Sequence, residues 1–221
     1  VPSGEITNIP YLKYIGSVSL SQNLPIYLST GMSTLSEVSE AYSLFIDLGL
    51  SSADITILHC VSAYPAPLEQ LNLRVIPLLS STFGCSIGYS DHSLGIDAAI
   101  VAVSLGASVI EKHLTLDRFM EGPDHRASLE PDEFASMVAG IRNCEKMLGI
   151  SKKFVQESEL STRQVARRSL RAARDIEPDE IICASDISIL RPGDGLPPSL
   201  FDYLVGLRSH KAYKKGDYFT F

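Results

Sequence analysis

The sequence predicts an α/β protein in two parts: a portion of a (β/α)8 barrel over residues 1–149, then a linker at 150–165 and a small, turn-rich β domain at 166–221. Three observations predict it. From Ser3 to Leu148, apolar β-rich runs alternate with longer amphipathic stretches, the pattern of a parallel α/β sheet. Chemistry-bearing side chains end several different runs, as at the mouth of a barrel, and neither common Gly-rich phosphate loop follows any of them. Beyond Val165 the runs shorten and turn signals crowd together.

Four strands are expected after an opening stub: Ile26 to Ser29, Ile55 to Cys60, Ser86 to Ser90 and Val109 to His113. Helices fill the gaps. Thr34-Leu35-Ser36-Glu37 is a capping-box pattern, so a helix should run from there to about Leu48, with Gly49 at its exit. Leu68 to Leu79, Gly95 to Leu105 and Pro131 to Leu148 read as the next three, Pro131 being tolerated in a first turn. The polar, aperiodic stretch after Gly149 is the linker. In the small domain Ser169 to Ala172, Ile181-Ile182, Ile187 to Leu190 and Tyr218 to Phe221 are strand-like, separated by Glu177-Pro178-Asp179-Glu180, Arg191-Pro192-Gly193-Asp194-Gly195 and Lys214-Lys215-Gly216-Asp217. A whole barrel takes about 250 residues and this stretch supplies about 150, so further strands are expected upstream. The opening Val1-Pro2-Ser3-Gly4-Glu5, a strand-end turn with no initiator Met, agrees with a fragment.

Composition narrows the function. With 45% hydrophobic residues the chain can build a core, and a net charge of −7 without a Lys/Arg run argues against a nucleic-acid or anionic-membrane partner. Ile96 to Ile110 is interrupted and shorter than the roughly 18 to 20 residues of a bilayer span. The cysteines, Cys60, Cys85, Cys144 and Cys183, form no CxxC pair, and no secretory signal is visible, so a cytoplasmic protein with reduced thiols is expected.

Strand parity sorts the candidate chemistry, because successive side chains point to opposite faces. Gly88, Ser90 and His92 share one face of the third strand; Glu111, His113 and Thr115 share one face of the fourth. If both faces line a barrel, His92 and His113 meet at its mouth, with Ser90 and Glu111 one pleat below, as a divalent-metal site with open positions. Two unrelated surface histidines are the alternative. Asp91, of opposite parity, suits orientation of a ligand better than ligation, and His59 reads as a packing histidine. Ser29 and Ser62 end their strands where hydroxyls can bind phosphate or, as serines commonly do, simply make the turn. Asp124 stands in a loop above the mouth, and Arg191 carries a planar fork suited to a carboxylate or phosphate or simply makes a turn.

Seven ordered strings, Pro2-Ser3-Gly4-Glu5-Ile6, Leu28-Ser29-Thr30-Gly31-Met32, Leu58-His59-Cys60-Val61-Ser62-Ala63-Tyr64-Pro65, Gly88-Tyr89-Ser90-Asp91-His92, Glu111-Lys112-His113, Gly122-Pro123-Asp124-His125 and Arg191-Pro192-Gly193-Asp194-Gly195, together resemble the sialic acid synthase family, which includes legionaminic and pseudaminic acid synthases. The resemblance implies a TIM barrel followed by an antifreeze-like (SAF, β-clip) domain. It implies condensation of phosphoenolpyruvate with an N-acetylated hexosamine such as N-acetylmannosamine, giving a nine-carbon 2-keto acid and phosphate. It further implies a divalent ion, manganese or magnesium, on His92 and His113. Phosphoenolpyruvate would lie on Ser3, Ser29, Ser62 and Ser90, with Glu5 at the reacting centre and Tyr64 and Asp124 on the sugar. Arg191 would reach in from the partner subunit of a domain-swapped homodimer.

Two departures stand out. Some members carry Asn where this chain has Ser62, and the family's phosphate-binding lysine would stand just before Val1. By itself the chain is therefore expected to be inactive or much weakened. Competing readings are a related barrel synthase using a different aldose, a metal-dependent hydrolase, and a binding or ice-interacting module. The last requires a flat uncharged face, which Arg191, Asp194 and Lys214 oppose.

Overall fold

A computed structural model describes residues 1–220. The chain divides into two compact units, Val1–Ile150 and Ser151–Phe221. In the first, a 3-10 turn (Ser3–Glu5) precedes α1 (Ile9–Gln22), β1 (Ile26–Ser29), α2 (Leu35–Asp47), β2 (Ile55–Cys60), α3 (Val75–Phe83), β3 (Ser86–Asp91), α4 (Asp97–Ser104), β4 (Val109–Lys112) and α5 (Pro131–Leu148). The strands pair in parallel in the order β1-β2-β3-β4 and curl into a half-barrel, in register through Ser29↔Leu58, Cys60↔Ser90 and Ser90↔Glu111.

The ladder continues by one rung on each side. Val1 donates from its amino group to Tyr27 O and accepts from Ser29 N, while Leu129 bridges Leu114 in parallel.

Local chemistry sets most element ends. Asn8 caps α1 by accepting from Tyr11 N, and Thr34 and Glu37 complete the capping box of α2. One helix differs from expectation. Leu68–Gln70 is a separate 3-10 turn, Asn72 takes a positive φ of 47°, and α3 begins at Val75. Pro77 explains the shift: it lacks an N–H and is tolerated only in a first turn, so the helix starts just before it instead of passing through it.

The strands alternate as parity demands. Leu28, Ile57, Ile87 and Tyr89 point to the helix layer, where they are buried with Leu12, Val38, Phe45 and Ile76. A second patch, Ala99, Leu129, Met137 and Ile141, seals α4 against α5. The opposite strand faces carry Ser29, Cys60, Ser90 and Glu111 into an open cavity.

The second unit holds a 3-10 turn (Glu157–Glu159), α6 (Leu160–Ala166), β5 (Ser169–Ala172), β6 (Ile187–Leu190) and the short α7 (Phe201–Leu204). Thus helical turns lie inside the stretch that polar, aperiodic sequence marked as linker; Glu159 accepts from Gln156 N at their start. β5 and β6 pair antiparallel. Ile181 contributes a single bridge to Arg208 and Tyr218 one to Arg171; Phe221, at the end of the expected Tyr218–Phe221 run, lies outside the described residues. Leu170, Ile176, Ile187, Tyr213 and Phe219 form this unit's own core. Arg174 clamps it at the rim through a two-pronged bond to Asp186 and an ion pair to Glu180.

Candidate active site

The C-terminal ends of β1 to β4 and the turn after Pro2 enclose a cavity of about 420 Å³. Ser3, Ser29, Ser62, Ser90, Tyr64, His92, His113, Cys60 and Glu111 all line it. Four hydroxyls from four separate segments therefore converge with two imidazoles. Ser3 Oγ accepts from Gly31 N at 2.9 Å, which ties the opening turn to the end of β1. Ser90 Oγ donates to Glu111 Oε1 at 2.6 Å across the β3–β4 rung.

The two histidine rings sit edge to face, with centroids 5.3 Å apart. Tyr64 packs on His92 at 4.1 Å and meets His113 at 5.7 Å, so the three rings form one cluster. Nδ1 of His92 lies 2.9 Å from Val61 O. A carbonyl only accepts, so Nδ1 carries the proton and Nε2 keeps its lone pair for a ligand. Two such imidazoles fit a divalent ion that draws its other ligands from substrate or water. Among the described residues no group of three or more His, Cys, Asp or Glu is placed to hold a metal by itself.

Cys60, which parity puts on the inner face with Ser62 but to which the sequence assigns no role, lies 3.7 Å from His92 Nδ1. Burial disfavours the His92 cation, but the bonds to Cys60 and Val61 and the nearby Glu111 charge outweigh it and hold the imidazole above its ordinary pKa. Burial likewise raises the Cys60 thiol, while His92, Ser3 and Ser90 pull it net below its usual range. Gly31 is the other residue that spacing missed. A Cβ there would collide with Ser62 Oγ and come within 2.9 Å of Ser3 Oγ, so a side chain at residue 31 would push these two hydroxyls from their places.

Two expected contributors of this unit, Glu5 and Asp124, stand outside the lining. Glu5 Oε2 accepts from Asn8 Nδ2 at 2.6 Å, turned toward the cap of α1. Asp124 Oδ2 is 3.9 Å from His113 Nδ1, on a loop anchored where Thr115 Oγ1 meets His125 at 2.7 Å. Arg191 belongs to the second unit, where it is exposed and its carbonyl accepts from Arg171 Nη2 at 3.2 Å.

Asp91 bonds to no imidazole: it accepts from Ser93 N and Oγ, from Tyr89 and from Lys112 Nζ. It therefore does not orient a ligand by direct contact, because its parity turns it to the helix side of the wall. His59, buried beside Tyr89, bonds through Nε2 to Leu71 O at 2.7 Å and packs the wall as expected.

Residues 1–153 match the model of the NeuB family, and residues 167–221 match that of the SAF domain. The chain is 42% identical over 98% of its length to an N,N'-diacetyllegionaminic acid synthase of Campylobacter jejuni, and 42% identical over 94% of its length to one of Legionella pneumophila. It spans 64% and 58% of those relatives' lengths. Among solved structures, an N-acetylneuraminic acid synthetase of Leptospira borgpetersenii, crystallised with citrate, superposes with a TM-score of 0.65 at 38% identity, covering 72% of this chain and 54% of that one. With a family model matched along the whole parallel sheet and its cavity, the chain belongs to the NeuB family.

Proposed function

We propose that this chain carries much of the active site of a sugar-acid synthase, which joins phosphoenolpyruvate to an open-chain N-acetylated hexosamine and releases phosphate. The observation that carries the reading is the single cavity in which Ser3, Ser29, Ser62 and Ser90 face His92 and His113. The relatives' names support the product class, and the 42% identity to two diacetyllegionaminic acid synthases favours a 2,4-diacetamido hexose over N-acetylmannosamine.

In this reading C3 of phosphoenolpyruvate attacks the sugar aldehyde carbon, the aldehyde oxygen takes a proton, and water adds at C2 before phosphate leaves. A divalent ion, manganese or magnesium, on His92 and His113 supplies Lewis-acid polarisation of the aldehyde. The hydroxyls of Ser3, Ser29 and Ser62 donate to the phosphate and the carboxylate. Ser90 can do so only by giving up Glu111, which leaves that carboxylate free to take a proton from the attacking water. Glu5 reaches the reacting carbon by releasing Asn8, and its charge then stabilises the cationic C2. Tyr64, stacked on His92, offers an aromatic face to the N-acetyl methyl, and Asp124 accepts from sugar hydroxyls. Arg191, as part of a homodimer in which small domains exchange, supplies a cation to the sugar side.

Phosphate release from phosphoenolpyruvate with manganese tests the proposal, with and without each sugar, on this chain and on one extended to the relatives' length. Sugar-dependent release by the extended chain, lowered at least about a hundredfold by His92→Ala or His113→Ala, is the expected result. Release that ignores both histidines, or none with either sugar, overturns it.

A further inference from the structure

On the far side of the barrel wall from the cavity, Lys112 Nζ lies 2.9 Å from Asp91 Oδ2, with both side chains sealed from solvent at 1% and 0% exposure. These two are direct cross-strand partners in the β3–β4 ladder. Each immediately precedes one of the histidines of the proposed metal pair: Asp91 before His92, Lys112 before His113. The bonds around them are saturated. Asp91 Oδ1 accepts from Ser93 N at 2.8 Å and from Ser93 Oγ at 2.7 Å, with Tyr89 OH at 3.3 Å, and Lys112 Nζ also donates to Ser93 O at 2.5 Å. Ser93 follows His92, so the backbone on both sides of that histidine is bound to the same pair of charges.

We infer that the Asp91–Lys112 pair is a positioning device: it sets the separation of the two imidazoles from behind the wall, and the affinity for a divalent ion depends on it. The inference rests on the proposed metal role of His92 and His113. A buried ion pair is a poor choice for stability alone, since well-packed apolar residues often do as well. What it adds is a fixed register between the last rungs of two strands, where pairing ends and the chain turns into loops. β4 itself stops at Lys112, so His113 lies one residue past the last rung shared with β3; its carbonyl accepts from Leu129 N at 2.9 Å on the other edge, and the Asp91–Lys112 pair is its tie to the strand that carries His92. A small slip there would change the gap between donors, whose lone pairs must meet one ion.

Titration of the purified protein with Mn²⁺ alone, read from the electron-spin resonance of the free ion, tests this without any turnover. Binding by the wild type should be lost in His92→Ala. Lys112→Met and Asp91→Asn should each weaken it about tenfold, the scale on which groups behind metal ligands act, and Lys112→Arg should recover most of the loss. Phe45→Leu, a core change in α2, should lower the melting temperature and leave Mn²⁺ affinity unchanged. Wild-type affinity in both Lys112→Met and Asp91→Asn would reduce the pair to a structural tie and overturn the inference. Should Lys112→Met fail to fold, Asp91→Asn, which keeps the shape and loses only the charge, decides the matter. Absence of His92-dependent binding in the wild type would instead sink the metal reading itself.

Discussion

At residue 31 the cavity depends on an atom that is not there. Ser3, Cys60 and Ser62 crowd the space a Cβ would fill, and Gly31 N holds Ser3 Oγ in place. Gly31→Ala should therefore displace Ser62 and Ser3 together. The expected outcome is a rise in KM for phosphoenolpyruvate of tenfold or more in the extended chain, with fold retained by circular dichroism; an unchanged KM would show that neither hydroxyl matters to that substrate. Residue pattern revealed the other members of this site unevenly. Ser90, His92, Glu111 and His113 were legible because alternation in two adjacent strands fixes which side chains share a face. Gly31 was not, since it lies past the end of β1, and Cys60, though on the inner face by parity, carried no signal of its contact with His92. Glu5 illustrates a third case: its place at the reacting centre comes from the family resemblance alone, and its carboxylate accepts from Asn8, only three residues on.

Among elements, the strands were read almost to the residue and α3 was not. Strand ends follow from apolar runs that stop at polar residues, a signal internal to each run. The start of α3 depends on a competition between an apolar stretch from Leu68 and the missing N–H of Pro77, and the proline wins. The segment between β2 and α3 is pinned by His59, whose ring reaches from the strand to Leu71 O. Burial depresses the pKa of His59 against the opposing pull of that bond. The sign follows directly: a folded pKa below the unfolded value of about 6.5 means the unfolded chain binds the proton more readily. Stability from this contact is present above about pH 6.5 and is lost as pH falls toward the folded value. The urea midpoint of the wild type should drop between pH 7.5 and pH 5.5 by more than that of His59→Gln, whose amide can keep the bond. Equal drops would place the acid sensitivity elsewhere.

For the molecule as a whole, the two cores share no residue. The barrel unit centres on Leu28, Ile57 and Ile87, and the SAF unit on Leu170, Tyr213 and Phe219. Two calorimetric transitions are expected. Phe219→Ala, which empties a fully buried ring site, should cost the smaller unit about 3–5 kcal/mol and shift one transition while the other stays put; a single transition that moves bodily would show the units melt as one. No helix of the described residues is long and apolar enough to cross a membrane.

The ring cluster at the mouth also gives the protein an optical property. The chain has nine tyrosines and no tryptophan, so its ultraviolet emission comes from tyrosine alone, without the stronger indole signal that usually hides it. One of those nine, Tyr64, lies tilted over His92, with centroids 4.1 Å apart, and edge-on to His113. A paramagnetic ion on those imidazoles would sit within quenching range of that ring. If such an ion binds there as proposed, its arrival would be read in the protein's own fluorescence, with no label attached.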